Sequence, residues 1–204
     1  MTESWIAVIH GISGFGVAFS GFLQILLPKE GDLHRYVGRF YIGFWTVVAL
    51  TSFFIGHVLV LFIGLLGYYM ALSGYRFAIR KSLRFSLFDK ILSVLALGGS
   101  TYVLGYAIYL LFKDNITFGL VALFFGSIFL FSLISEAKKY VLRPPSSNQG
   151  SWVPQHFTRM FISYIAAMTA FSAIQNITGI ILLDWMLPTI IGSSLIYFYR
   201  RQQG

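Results

Sequence analysis

An apolar stretch running from Gly38 to Ala78 constrains this chain more than any other feature. A helix rises ~1.5 Å per residue, so about 20 apolar residues cross the ~30 Å hydrocarbon core of a bilayer. The stretch is too long for one such crossing and too short for two with an ordinary loop. Gly56 and His57 stand near its middle, where a tight turn yields two crossings of suitable length. The same ruler finds five more apolar runs. The predicted spans are 4–27, 38–56, 58–80, 87–112, 116–135, 157–178 and 186–199. The first stops at Pro28 and the polar run Lys29-Glu30-Gly31-Asp32, and the fourth at Lys113-Asp114-Asn115. The seventh opens with Pro188 in its first turn, where proline is tolerated. A connection holding Lys138, Lys139, Arg143 and Pro144–Gly150 is linker-like but separates no domains. The expectation is an all-α, polytopic seven-span bundle forming one integral membrane domain over residues 1–204.

Composition agrees. Charged residues make up 11% of the 204 and hydrophobic ones 57%, whereas a soluble domain carries about 25% charged residues. This excludes a soluble globule and a disordered chain. The absence of cysteine excludes disulfides, zinc thiolate sites, iron–sulfur clusters and thiol nucleophiles.

The formal charge of +8 reads as topology rather than as a nucleic-acid surface. With the amino terminus outside, one set of loops and ends holds Lys29, Arg35, Arg39, Arg76, Arg80, Lys81, Arg84, Lys90, Lys138, Lys139, Arg143, Arg159, Arg200 and Arg201. Of the fifteen Lys and Arg residues, only Lys113 falls on the other side. This is the bias of the positive-inside rule, and it predicts a cytoplasmic carboxy terminus. The same charges suit anionic lipid headgroups, so no nucleic-acid partner is required. The first span has an acidic flank (Glu3) and exceeds a secretory h-region, so it reads as retained. Trp5, Trp45, Trp152 and Trp185 read as interfacial anchors, with Trp45 somewhat deeper.

Ionisable groups at membrane depth are costly and are therefore functional candidates. The topology sorts His10 and His57 to the outer side and His34 and His156 to the inner side. On the first helix His10, Gly14, Gly21 and Gln24 share a face, broadened by Ser13, Gly16 and Ser20 into a small-residue seam. His10 and Gln24 read either as interhelical hydrogen bonders in that seam or as site residues. The sixth span carries a stripe of Ser163, Ala167 and Ala170, with polar residues crowded toward Gln175 and Asn176. These place it inside the bundle or along a wet cavity. His10, Gln24, Gln175 and Asn176 are candidate pocket-lining residues. An inner cluster of His34, Arg35, Arg39, His156 and Arg159 forms a positive patch, whose arginines read most simply as topology charges that bind headgroups.

The run His34-Arg35-Tyr36-Val37-Gly38-Arg39-Phe40-Tyr41, with the upstream His10, Gly14, Gly21 and Gln24, resembles the domain-of-unknown-function 2306 family of predicted bacterial membrane proteins. The block from His156 to Asn176 and the closing Leu187-Pro188-Thr189-Ile190-Ile191-Gly192 resemble a branch of it. The resemblance implies a multi-pass helical bundle in a bacterial plasma membrane. It implies no activity and no catalytic residues.

The leading specific reading is a non-covalent b-type haem protein moving electrons in the membrane. Its cofactor-binding candidates are His10, His34, His57 and His156, with Arg35, Arg39 or Arg159 pairing propionates. The competing reading is a transporter or small-molecule-binding protein with its polar site near Gln175 and Asn176. A metalloenzyme ranks below both, because the histidines fall on opposite faces without nearby carboxylates. An accessory or assembly subunit, or a homo-oligomer joined through the glycine seams, completes the set. Asp89 and Asp184 read as boundary groups at span ends. The sequence assigns no reaction.

Overall fold

The computed structural model describes residues 2–29, 31–55, 58–142 and 152–202. His57 and the Pro144–Gly150 connection lie outside the described residues, as does Arg143. Within them the chain is helical throughout, without strands: α1 (Thr2–Leu26), α2 (Asp32–Ile55), α3 (Val58–Arg80), α4 (Leu87–Phe112), α5 (Ile116–Glu136), α6 (Trp152–Gln175) and α7 (Ile181–Gln202). A π-helical segment, Ala137–Leu142, prolongs α5. All seven helices are long and apolar enough to cross a membrane. The fold is that of a multi-pass membrane protein.

Successive helices run antiparallel. His10 of α1 meets Thr51 of α2 at one end of the bundle, and Gln24 meets His34 at the other. The two ends differ in charge. One carries the turns after α1 and α3 and the π-helical extension of α5, together with Arg200 and Arg201, and is here termed the basic end; the other is the far end. The central helix is α3, which packs most extensively on α6 and also against α2 and α4. One apolar cluster joins α3, α4, α5, α6 and α7 through Ile63, Val103, Phe129, Ala166 and Trp185. A second, around Val17, Tyr41, Trp45, Val48 and Ala71, joins α1, α2 and α3. A third, Phe77, Leu83 and Tyr140, closes the basic end.

Several element ends differ from the hydropathy reading, each for a physical reason. Helix α2 begins at Asp32, six residues before the apolar run. The His34–Arg39 element therefore forms its first two turns, with an acid favourably placed at the amino-terminal dipole. Helix α6 stops at Gln175 because Asn176 adopts φ 49° and Gly179 φ 72°; left-handed residues such as these end helices. Helix α7 then starts at Ile181, which puts Pro188 inside it rather than in its first turn. Lys138 and Lys139 lie on the π-helical extension and not in a loop. Trp45 and Trp185 are core residues, 2% and 3% exposed, whereas Trp5 does face outward.

Close helix contact depends on small residues. At Gly74 of α3 a Cβ would come 3.0 Å from the Arg159 Cβ, 3.2 Å from the Met160 sulfur and 3.4 Å from the His156 carbonyl. That absence of a side chain seats the amino-terminal half of α6 against α3. The expected seam on α1 is real but shifted: Ser13, Val17 and Ser20 are buried, while Gly14 meets nothing.

Candidate functional site

The most concentrated polar chemistry lies in the basic half of the bundle, where α3, α5 and α6 meet. Arg159, two turns into α6, is 3% exposed. Its Nη2 pairs with Glu136 Oε1 at 2.7 Å, and its Nη1 donates to Ser73 Oγ at 2.6 Å. Its guanidinium carbon stands 4.7 Å from the Phe77 ring centroid. The second oxygen of Glu136 accepts from the Tyr69 hydroxyl at 2.8 Å, and that hydroxyl lies 3.1 Å from Ser93 Oγ. A guanidinium fork and a carboxylate each find enough partners here to offset their desolvation.

This ion pair forms one wall of a cavity of about 240 Å³, lined also by Lys139, Arg200, Gln155, Thr158, Ser132, Ser135 and Tyr140. Three cationic side chains face one carboxylate, so the cavity carries an excess of positive charge. Its size is below the ~300–1,000 Å³ of drug-sized sites and suits a small solute. The π-helical segment supplies Lys139 and Tyr140; such irregular turns frequently occur where side chains must be re-aimed for function.

From Arg159 a buried polar face continues along α6 through Ser163 and Thr169 to Ser172, interrupted only by Ala166. From Arg159 to Ser172 the rise is ~20 Å, most of a bilayer's hydrocarbon thickness. Ser163 bonds the Tyr41 hydroxyl at 2.7 Å, and Thr169 lies 3.4 Å from Thr189 Oγ1. Ser172 donates to Asp184 Oδ1 at 2.9 Å. Asp184, read from sequence as a boundary group, is 1% exposed.

The sequence candidates are distributed unevenly around this arrangement. His10 is half-buried, its Nδ1 2.8 Å from Thr51 Oγ1. Gln24 donates to the His34 carbonyl at 2.6 Å, a helix-to-helix tie. His34 and His156 come close enough at the basic end for their charges to interact. The His34 Nδ1 is buried without a hydrogen-bond partner, and the His156 Nδ1 bonds the Gly74 carbonyl at 2.9 Å. Beside them Lys29, in the α1–α2 turn, donates to the Gln24 and Ile25 carbonyls; partial burial lowers its pKa from the ordinary lysine value. Among the described residues Arg35 is exposed and pairs with Asp32, while Arg39 is exposed beside the Tyr36 ring.

Arg159 is therefore not part of one positive patch with Arg35 and Arg39: it lies inside, committed to Glu136. Gln175 and Asn176 are exposed at the end of α6, where they form the helix stop, while His10 turns to α2. None of the three lines the cavity described above.

Glu136, Tyr69, Ser73, Lys139, Arg200 and Asp184 were not singled out as site residues from sequence. A signal was present for Glu136 alone, an acid closing a strongly apolar run. Among the described residues no group of three or more His, Asp or Glu side chains is placed to hold a metal ion. Comparison with protein-family models, with curated proteins and with solved structures finds no match to the chain.

Proposed function

We propose that this is a membrane transport or solute-binding protein that takes a small anionic solute, such as a short carboxylate or an inorganic oxyanion, at the basic end of its bundle. The observation that carries the reading is the cavity in which Arg159, Lys139 and Arg200 outnumber Glu136. The buried polar face of α6 adds to it, because polar side chains in a membrane helix mark solute and ion pathways. In the same proposal the basic end is cytoplasmic, the amino terminus is outside, and the membrane is a bacterial plasma membrane. The family kinship rests on the motifs in α1, α2, α6 and α7. Anionic headgroups at Arg35 and Arg39 are its lipid partners.

The test uses purified protein in nanodiscs, titrated with acetate, succinate and inorganic phosphate at constant ionic strength while thermal stability is followed. Saturable stabilisation by at least one of them, lost in Lys139→Ala and Arg200→Ala, is the expected result. Neither substitution touches the Arg159–Glu136 pair, so loss of binding is separable from loss of fold. No saturable response to any of the three anions overturns the reading.

A second reading has one observation in its favour. His34 and His156 come close enough at the basic end for their charges to interact, and a pair of imidazoles is a ligand set of a non-covalent b-type haem. Arg35 and Arg39 are exposed and accessible to propionates, whereas Arg159 is buried and committed to Glu136. Visible spectra of protein from haem-replete cells decide it. A Soret band with a sharp reduced α-band, weakened in His156→Ala, supports haem and electron transfer; a colourless preparation refutes both.

A further inference from the structure

We propose that Asp184 anchors a sodium-ion site between α6 and α7 at the far end of the bundle. This carboxylate is 1% exposed, and only one of its oxygens is used: Oδ1 accepts from Ser172 Oγ at 2.9 Å and from the Thr178 amide at 3.0 Å. Oδ2 is buried and has no hydrogen-bond partner among the described residues. Among the described residues no Lys, Arg or His pairs with Asp184, in contrast to Asp89, which holds Arg76 and Arg80, and to Glu136, which holds Arg159. A buried carboxylate without a counter-charge is costly, and something must supply one.

A proton on Oδ2 would remove the charge, an outcome the test below reads separately; a cation would balance the charge and also give Oδ2 a partner. The surroundings suit a hard monovalent ion, which takes oxygen ligands. Pro188 has no N–H, so the Asp184 carbonyl lacks its usual helical donor. Residue 184 thus offers two under-used oxygens, one carboxylate and one backbone. The Ser172 hydroxyl adjoins the carboxylate, and the Thr169 and Thr189 hydroxyls lie one layer deeper. Asp184 is a single turn from the exposed α6–α7 connection, which gives an ion a short route from the aqueous side.

The site is separate from the anion cavity, and its test does not depend on that cavity. Thermal stability of the purified protein is measured in choline chloride at fixed pH and ionic strength while sodium, potassium or lithium replaces choline. The expected result is a saturable rise in Tm that is largest for sodium. In Asp184→Asn, whose remaining amide oxygen still accepts from Ser172 and Thr178, the apparent affinity falls by about tenfold or more. Ser172→Ala weakens it in the same direction, and it carries the test if the Asn variant is not recovered folded. Lys139→Ala and Arg200→Ala leave the sodium response unchanged. The proposal is overturned if sodium has no effect on the unmodified protein, if all three cations act alike, or if the response persists in both site variants. Stabilisation that follows pH alone, with no sodium response, also overturns it and assigns a proton to Asp184 instead.

Discussion

Arg159 is almost completely enclosed by protein, yet it carries a charge that does not titrate in the working range. Its place is tenable only through Glu136, Ser73 and the Phe77 ring. Removing one member of a buried pair strands the other, at a cost of about 3–5 kcal/mol. Arg159→Ala is expected to lose stability in that range in a reversible detergent-denaturation measurement. The Arg159→Met, Glu136→Met double variant is expected to recover most of it, because two apolar chains of similar length leave no charge behind. If the double variant is as unstable as the sum of the singles, the pair is not coupled as the geometry states. The sequence placed Arg159 correctly at the basic end but counted it as a topology charge. Hydropathy has no means of pairing it with Glu136, because that contact exists only once α6 and α5 are packed. His34 and His156 are the converse case. Sorting by membrane side already grouped them, and packing supplies the proximity. The reach of single-residue sequence reading here is depth along the membrane normal; which helix face looks at which neighbour lies beyond it.

Helices were legible as lengths of apolar chain, and their existence and number follow directly from the bilayer's thickness. Their ends were not, because a helix need not stop where lipid does. Helix α2 continues outward through His34 and Arg35, and α5 continues into a π-helical turn through Lys138 and Lys139. Local chemistry does fix some ends. Ser86 precedes α4 in a reciprocal capping box with Asp89, each side chain meeting the other's backbone N–H. Asp89 also holds Arg76 and Arg80 of α3. Ser86→Ala is therefore expected to cost about 1 kcal/mol, and Asp89→Ala more, since it releases two guanidinium groups as well as the cap. Unfolding midpoints of the two variants check the order. Packing between elements makes a sharper prediction. Gly74→Ala forces a Cβ against the Arg159 and Met160 side chains and the His156 carbonyl, with an expected loss of about 1–3 kcal/mol. Gly99→Ala in α4 meets nothing within 4 Å, and greater helix propensity there is expected to leave stability unchanged or raise it by up to about 1 kcal/mol. Equal effects of the two glycine substitutions would mean that α3 and α6 are not seated through Gly74.

For the molecule as a whole, the distribution of charge and the distribution of polar burial make separate statements. Thirteen basic residues of the set assigned to one side lie among those the structure describes, and the turns and ends that carry them gather at one end of the antiparallel bundle. That end also holds the cavity with surplus positive charge. If the positive-inside rule applies, a solute binding there is met from the cytoplasm, whereas Asp184, buried one turn from the α6–α7 connection, lies nearer the opposite compartment. Orientation therefore decides what each site experiences, and it is directly measurable, because the chain has no cysteine and every introduced thiol is the only one present. Arg84 and Arg201 are exposed at the basic end, and Lys113 is exposed at the far end. In intact cells a membrane-impermeant maleimide is expected to label Lys113→Cys and to leave Arg84→Cys and Arg201→Cys unlabelled until the membrane is opened. The reverse pattern would keep the bundle and both sites but exchange the compartments they serve, making the anion cavity the outward one. Labelling of Arg84→Cys and Lys113→Cys from the same side of an intact membrane is incompatible with α4 crossing it, and would remove the basis for reading the α6 polar face as a path through lipid.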